Sequence, residues 1–256
     1  MILDDLGLSL TNLAALALMF IPLERALPAR PLGVIRPATG VDARFFAGQY
    51  LVFRGAAVAA IALVWPFTRA AVPFALRAGY AELPLWAQAL VAVVAGDLCV
   101  YWFHRACHRF DVLWRFHAVH HSAPHLDWLA AHREHPLDGL LTQLFQNLPA
   151  LALGLRMEAL APLVVFRNAW AVFIHSNVRV PLGPLGLLFG DPALHHWHHA
   201  RVARCAHNFA NLAPWLDVIF GTHHRPEGEE TYPQGLVEPW PEGYLAQLVR
   251  PFRRNP

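Results

Sequence analysis

The chain has 256 residues, of which 56% are hydrophobic and only 15% are charged, and this is more apolar than a typical soluble domain. Its formal net charge of +2 comes without a basic run and gives no sign of nucleic-acid binding. Three cysteines without CxxC spacing exclude a disulfide framework and a thiolate metal site. Cys99, Cys107 and Cys205 are therefore interpreted as small buried apolar residues.

Five apolar stretches approach membrane length and are predicted to be spans or half-spans. In chain order they cover residues 8–27, 50–65, 86–103, 137–155 and 159–175. The last two carry polar residues that must face protein or a cavity rather than lipid, so we expect a helical hairpin turning near Gly154, with or without a full crossing. The prediction is an all-α integral membrane bundle of about four to five spans or half-spans, with a cytoplasmic helical cap.

Arginines predict the orientation of this bundle. At the end of the first stretch and between it and the second lie Arg25, Arg30, Arg36 and Arg44, and between the third and fourth lie Arg105, Arg109, Arg115 and Arg133. The opposite side has only Arg69, Arg77 and Arg156. By the positive-inside rule, residues 104–136 and the C-terminal tail are cytoplasmic and the N-terminus, which lacks a signal peptide's basic region, is outside. All 20 basic residues are arginine, which is typical of a GC-rich bacterial genome, so we expect a bacterial inner membrane.

Histidine is distributed unevenly, because all 16 histidines follow residue 103. We therefore predict one domain over residues 1–256, with membrane anchor helices at 1–95. Residues 96–222 form the catalytic histidine region, and residues 223–256 form an irregular C-terminal tail.

Three histidine clusters carry the chemistry. They are the pair His104 and His108, the triplet His117, His120 and His121, and the triplet His195, His198 and His199. Residues spaced i, i+3 and i+4 fall within an arc of about 100° on an α-helix. Each cluster is therefore expected to aim its imidazoles at one point, whereas His196 lies to one side as a bystander or supporting group.

Neutral imidazole is a common ligand for iron, zinc, copper and nickel, and eight imidazoles are too many for one ion. The clusters suit two ions held close together, and His135 and His175, at the cytoplasmic ends of predicted spans, could complete the shell. His125, His132, His207, His223 and His224 are expected to be ordinary histidines. The chain has no HExxH motif, no deaminase His/Cys set and no ExxH carboxylate bundle. Iron doing oxygen chemistry fits best, while zinc and copper stay open.

Two other functions use the same residues. A metal-transport protein needs ligands along a path through the bilayer, whereas these histidines cluster at one level. A bis-histidine haem protein for electron transfer needs histidines deep in two facing spans. The chain also lacks a dinucleotide fingerprint, a CxxCH haem site and an iron–sulfur cysteine set, so an oxygenase would need a separate electron donor.

The motifs HxxxH, HxxHH and a later HxxHH, threaded among membrane helices, resemble those of the fatty acid hydroxylase/sterol desaturase superfamily of integral-membrane di-iron enzymes. The resemblance covers residues 96–222 through "GDLCVYWFHRACHRFDVLWRFHAVHHSAPHLDWLAAHREHPLDGLL", "HSNVRVPLGPLG" and "DPALHHWHHARVARCAHNFANLAPWLDVIFGT". It implies a metal site made of His104, His108, His117, His120, His121, His135, His175, His195, His198 and His199. Some hydroxylases of the superfamily carry another histidine one turn before His175, where this chain has Ala171.

The resemblance also implies the cofactors and partners. Two iron ions, or zinc in the purified protein, would use O₂ as co-substrate to hydroxylate or desaturate an unactivated C–H bond of a membrane lipid. Sterol, fatty acyl chain, carotenoid and ether lipid all remain open as substrates. Electrons would come from a separate protein, either a ferredoxin with its reductase or a small haem carrier.

Metal-bound histidines need acceptors for their other ring N–H. Asp97 lies two helical turns before His104 on nearly the same face and is expected to orient a ligand, with a helix–helix hydrogen bond as the alternative. Further candidates of this kind are Asp138, Asn177, Asn208 and Asp217. Arg167 could meet a polar lipid head in the substrate channel or form a structural ion pair.

Overall fold

The computed structural model describes residues 2–180, 182–228 and 230–253, with the backbone alone at residues 2–5, 54 and 157. The described residues form twelve α-helices and no β-sheet, which confirms the all-α class. The first six helices are α1 (Ile2–Ala26), α2 (Thr39–Gly48), α3 (Arg54–Ala71), α4 (Phe74–Glu82), α5 (Leu85–Arg109) and α6 (Asp111–His121). The other six are α7 (Pro136–Leu153), α8 (Met157–His175), α9 (Leu185–Phe189), α10 (Pro192–His198), α11 (Trp215–Ile219) and α12 (Tyr244–Val249).

Two of the described helices, α1 and α5, are long and apolar enough to cross a membrane. A third span is formed if α2, the π-helical turn at Gln49–Phe53 and α3 count as one, although they bend by 47°. Helices α7 and α8 are not among the described helices that meet this criterion, and they form the expected hairpin through Gly154. Gly154 has a φ of 96°, a backbone conformation that residues other than glycine rarely adopt. Helix α7 packs against α3 and α5.

The middle of the bundle is held by a buried ion pair. Arg167 donates from Nη2 to Asp97 Oδ1 at 3.1 Å and to the Val93 carbonyl oxygen at 2.7 Å. Gly96 makes room for it, because a Cβ there would lie 2.8 Å from the guanidinium nitrogens of Arg167. The expectation that Asp97 orients a histidine is therefore not met. Its carboxylate forms the alternative contact between helices α5 and α8, and Arg167 is a structural partner.

A second buried network joins α2 to the loop between α6 and α7. Arg36 donates from Nε to Asp127 at 2.5 Å and lies 2.8 Å from Asp42, while Arg133 Nε donates to the other oxygen of Asp42 at 2.6 Å. Asp127 also accepts the backbone N–H groups of residues 129 and 130. The N-terminal part of the chain therefore fixes the loop that follows the first histidine triplet.

The C-terminal tail is irregular only in its first part. Residues 223–243 contain no helix where they are described, but Tyr244–Val249 forms α12, followed by a 3₁₀ turn at Arg250–Phe252. Tyr244 packs edge-on against Phe45 of α2, with ring centroids 4.8 Å apart. Residues 229 and 254–256 of the predicted tail lie outside the described residues.

Candidate metal centre

Helix ends bring the histidines together. Helix α5 ends at Arg109, and the extended residue Phe110 turns the chain directly into α6. Helix α10 begins where the carboxylate of Asp191 accepts the N–H of Ala193 at 2.9 Å, with Pro192 in the first turn, and both features favour a helix start. Helix α8 ends on His175 itself.

Nine of the ten histidines implied as ligands are buried in two adjacent groups. The first group is His104, His108, His117, His121 and His198; the second is His120, His175, His195 and His199. Within each group, one ring nitrogen of every member lies within 4.8 Å of those of all the others. The arrangement therefore offers five nitrogens to one position and four to the other.

Each HxxHH triplet contributes to both groups. In α6, His117 and His121 join the first group while His120 joins the second. In α10 and the residue after it the assignment is reversed, because His195 and His199 join the second group and His198 the first. The expectation that each cluster aims at one point is wrong in this respect. Positions i and i+4 differ by about 40° around a helix, whereas i+3 lies about 60° to the other side.

The ring nitrogens of the second group fit a cation. His120 donates from Nδ1 to the Arg133 carbonyl oxygen at 3.0 Å, and His175 donates from Nδ1 to that of Ala171 at 2.6 Å. Both Nε2 atoms then carry a lone pair, yet they lie 3.0 Å apart. Two acceptors cannot hydrogen-bond to each other. Two nitrogens that bind one ion at about 2.1 Å, near a right angle, would stand at about this separation.

The first group shows the same chemistry through unpartnered atoms. His104 and His198 donate from Nδ1 to the carbonyl oxygens of Phe209 and His207, each at 2.7 Å. Their Nε2 atoms are buried and have no hydrogen-bond partner. A buried polar atom without a partner is costly, so these nitrogens fit a bound cation.

Burial keeps five histidines outside the spanning helices in the neutral form that binds metals. It lowers the pKa of His198 to about 3 and that of His120 to about 4. It also holds the pKa of His121, His195 and His199 well below the ordinary value.

A single loop supports two ligands of the first group. Asp217 accepts the N–H groups of Phe209 and Ala210 at 2.8 and 3.0 Å. Asn208, at a left-handed φ of 58°, donates to the carbonyl oxygens of residues 194 and 224. Asn208 and Asp217 thus hold the loop whose carbonyl oxygens accept from His104 and His198, rather than contacting a histidine ring themselves.

The other predicted supporting residues differ from one another. Asp138 contacts a ring directly, since its Oδ2 accepts from His117 Nδ1 at 2.8 Å. Cys107 lies beside it, with Sγ 3.9 Å from the other carboxylate oxygen, a neighbour that the sequence did not reveal. Asn177 instead pairs with the backbone of Arg30 at 2.9 and 2.8 Å and makes no described contact with the two groups.

The structure places His135 outside both groups. Its Nδ1 accepts the N–H of Leu137 at 3.1 Å as the cap of α7, and its Nε2 donates to the Leu248 carbonyl oxygen at 3.2 Å. Since both ring nitrogens are engaged and the ring packs against Phe116 and Phe252, His135 anchors the tail.

His196 also lies outside both groups. It connects Glu230, 2.6 Å from its Nδ1, to the Ser176 carbonyl oxygen, 3.0 Å from its Nε2. The remaining histidines that were expected to be ordinary, His125, His132, His207, His223 and His224, belong to neither group.

Comparisons with known proteins identify relatives of this chain. The fatty acid hydroxylase family model matches residues 89–222, just over half of the chain. An ornithine lipid hydroxylase of Rhizobium tropici is 37% identical over 68% of this chain and 53% of its own. An alkylglycerol monooxygenase of Danio rerio is 31% identical over 65% of this chain and 38% of its own. A Delta(7)-sterol 5(6)-desaturase of Gibberella zeae is 31% identical over 51% of this chain and 36% of its own.

The chain thus spans about half of the length of the first of these relatives and less of the others. No solved structure matches it. The region matched by the family model contains all three histidine clusters and the loop with Asn208, and it includes the whole region of resemblance in the sequence. On this evidence the chain belongs to the fatty acid hydroxylase family.

Proposed function

We propose that the protein is a membrane di-iron oxygenase that hydroxylates or desaturates an unactivated C–H bond of a lipid, using O₂ and external electrons. The observation that carries the proposal is the pair of buried histidine groups, in which bare Nε2 atoms of neutral rings face one another. The names of the relatives support it, since they describe oxidations of ornithine lipids, alkylglycerols and sterols.

The two groups would hold one iron ion each. Five histidines would bind the first ion and four the second, where Ala171 offers its carbonyl oxygen to His175 instead of a further imidazole. When bound, the iron pair supplies the activation of O₂ and the oxidation of the C–H bond. An iron held by four protein ligands keeps more of its positions open than one held by five.

The chain's own residues fix the ligands and exclude water. Four backbone carbonyl oxygens and the carboxylate of Asp138 hold the Nδ1 protons of five histidines, which leaves each Nε2 free to bind. All nine rings are buried, so bulk water is kept from the reacting atoms. No described carboxylate belongs to the two larger groups, and neutral ligands leave the ions more electrophilic than a carboxylate cage does.

The substrate would be a lipid that enters sideways from the membrane. Sterols, fatty acyl chains, carotenoids and ether lipids remain candidates, and the relatives add ornithine lipids. A separate ferredoxin with its reductase, or a small haem carrier, would supply electrons. The protein would lie in a bacterial inner membrane with the histidines facing the cytoplasm, in line with the arginine distribution.

Expression with a ferredoxin and its reductase, followed by untargeted lipid analysis under ¹⁸O₂, tests this function. We expect a lipid species that gains one labelled oxygen or loses two hydrogens, and we expect neither change with His120→Ala or His198→Ala. A lipid profile identical to that of the inactive variants would contradict the oxygenase. A Soret band in the purified protein would instead support a bis-histidine haem protein for electron transfer. O₂-independent ion flux in vesicles would support a metal-transport protein.

A further inference from the structure

Helix α6 has one face toward the histidine groups and another toward the outside. At about 100° per residue, His117, His120 and His121 lie on the first face. Asp111, Val112 and Arg115 lie on the second, and all three are exposed. Trp114 falls between the two faces and is half-buried.

Trp114 connects the surface to the first histidine group. Its ring centroid lies 5.0 Å from that of His108 and 5.4 Å from that of His121. The half-buried indole is therefore in contact both with the outside and with two proposed metal ligands. None of the hydrogen bonds described above requires an aromatic residue at this place.

The surroundings of Trp114 carry unbalanced positive charge. Arg204 lies over the indole, 5.6 Å from the ring centroid, and pairs with Asp111 at 2.6 Å. Arg109 and Arg115 are exposed and make no hydrogen bond or ion pair among the described residues. Arg109, Arg115 and Arg204 thus outnumber the one acidic residue of this stretch, Asp111, and only Arg204 pairs with it among the described residues.

Apolar side chains complete this surface. Phe110 is 58% exposed and Val112 is 67% exposed, directly beside the charged residues. We define the α6 outer surface as residues 109–112 and 115 together with Trp114 and Arg204. A small apolar centre with a charged surround is the usual anatomy of a transient protein–protein interface.

We propose that the α6 outer surface docks an acidic one-electron carrier protein, so that Trp114 lies between the carrier and the histidine groups. The inference deepens the proposed function, on which it rests. The excess of arginine over acidic residues would attract an acidic partner and accelerate its association. A lipid surface could also bind arginines and apolar residues, but it would gain nothing from an indole that contacts the histidines. Each docked carrier loses one electron, and the electron is accepted at the metal site.

Docking can be measured without turnover. The full chain, loaded with redox-inactive zinc in phosphatidylcholine nanodiscs, is titrated with an acidic plant-type [2Fe–2S] ferredoxin. We expect Kd to rise with ionic strength, and we expect the double variant Arg109→Glu/Arg115→Glu to raise it at least tenfold. Arg156→Glu is the matched control, because Arg156 is exposed at the opposite end of α8 from His175, and it should leave Kd unchanged. An unchanged Kd in the double variant would overturn the proposal.

Trp114 is tested separately by anaerobic stopped-flow reduction of the iron-loaded protein by reduced ferredoxin. Trp114→Leu should slow reduction about tenfold while Kd stays within about twofold, and Trp114→Phe should recover part of the rate. Equal rates in all three proteins would remove Trp114 from the proposal. Ferredoxin that binds in detergent but not in nanodiscs would show that lipid covers this surface, and would overturn docking.

The two proposals fail in different ways. Protein that has been reduced chemically, freed of reductant and exposed to O₂ should oxidise lipid in one turnover, with or without the arginine substitutions. If this turnover fails while salt-dependent docking persists, the proposed function is wrong. If it succeeds while the arginine substitutions leave docking unchanged, only the docking surface is wrong.

Discussion

The carboxylate of Asp138 accepts the Nδ1 proton of His117 at 2.8 Å, and both residues are buried. This contact fixes the ring so that Nε2 faces the first histidine group, and a carboxylate makes the imidazole more basic. Asp138→Asn keeps an oxygen acceptor but removes the charge. We expect it to weaken metal binding about 10- to 100-fold, as measured by competition with a chelator. Glu82→Gln, which changes an exposed acid, is the control and should bind metal like the unsubstituted protein.

Metal content distinguishes ligands from their neighbours. His120→Ala and His198→Ala each remove a nitrogen that points into a group, so each should lower the number of bound ions. His196→Ala and His135→Ala should retain both ions, because the ring nitrogens of these residues are engaged elsewhere. Mass-spectrometric metal analysis of the purified protein checks this. Loss of an ion from His135→Ala would return that residue to the ligand set.

The histidine spacing predicted most of this site, because i, i+3 and i+4 positions share a helix face whatever the tertiary structure. It could not predict how the triplets divide. His120 and His121 point about 100° apart around the axis of α6. They would bind different ions only because α10 supplies further histidines to each ion, and the position of α10 depends on the tertiary structure. His175 joined the second group as expected, whereas His135 has the same residue type but serves as a helix cap.

The supporting contacts were harder to predict, for a physical reason. Four of the five Nδ1 acceptors are backbone carbonyl groups, of residues 133, 171, 207 and 209, and any residue type supplies a carbonyl. Asp97 lies on the right helical face for a supporting role, but its carboxylate accepts a hydrogen bond from the buried guanidinium of Arg167, 70 positions away in the sequence. Sequence spacing within one helix does not reveal a partner on another helix.

The buried pair of Asp97 and Arg167 should stabilise the bundle only as a pair. Removing one member leaves an uncompensated charge, which costs about 3–5 kcal/mol, whereas replacing both by apolar residues is often neutral. Arg167→Met alone should therefore lower the free energy of unfolding, and Asp97→Leu/Arg167→Met should restore much of it. Denaturation in mild detergent measures both, with Arg156→Met as the exposed control.

The outcome for this pair also separates the two functions considered for Arg167. If Arg167 bound a lipid head group, Arg167→Met would raise KM for the lipid and leave unfolding unchanged, and the second substitution would restore nothing. A loss of stability that the double variant reverses is expected only for the structural ion pair.

His132 should make the protein sensitive to mild acid. It is buried with its ring edge-on to those of Phe46 and Tyr50, at 4.9 and 5.7 Å, and burial lowers its pKa from 6.5 to about 4. As the pH falls, the unfolded chain therefore takes up a proton at this residue at a higher pH than the folded chain does. The free energy of unfolding is unaffected by this residue's titration above pH 6.5. It decreases as the pH falls toward 4, by at most about 3 kcal/mol.

His132→Leu removes this titration while keeping an apolar group at the site. Between pH 7.5 and 5, the metal-loaded variant should lose less Tm than the unsubstituted protein does. His224→Leu, at a less buried position, controls for the loss of a histidine as such and should keep most of the original pH dependence. Equal slopes for His132→Leu and the unsubstituted protein would mean that the acid sensitivity arises at other groups, such as carboxylates that are paired in the folded protein.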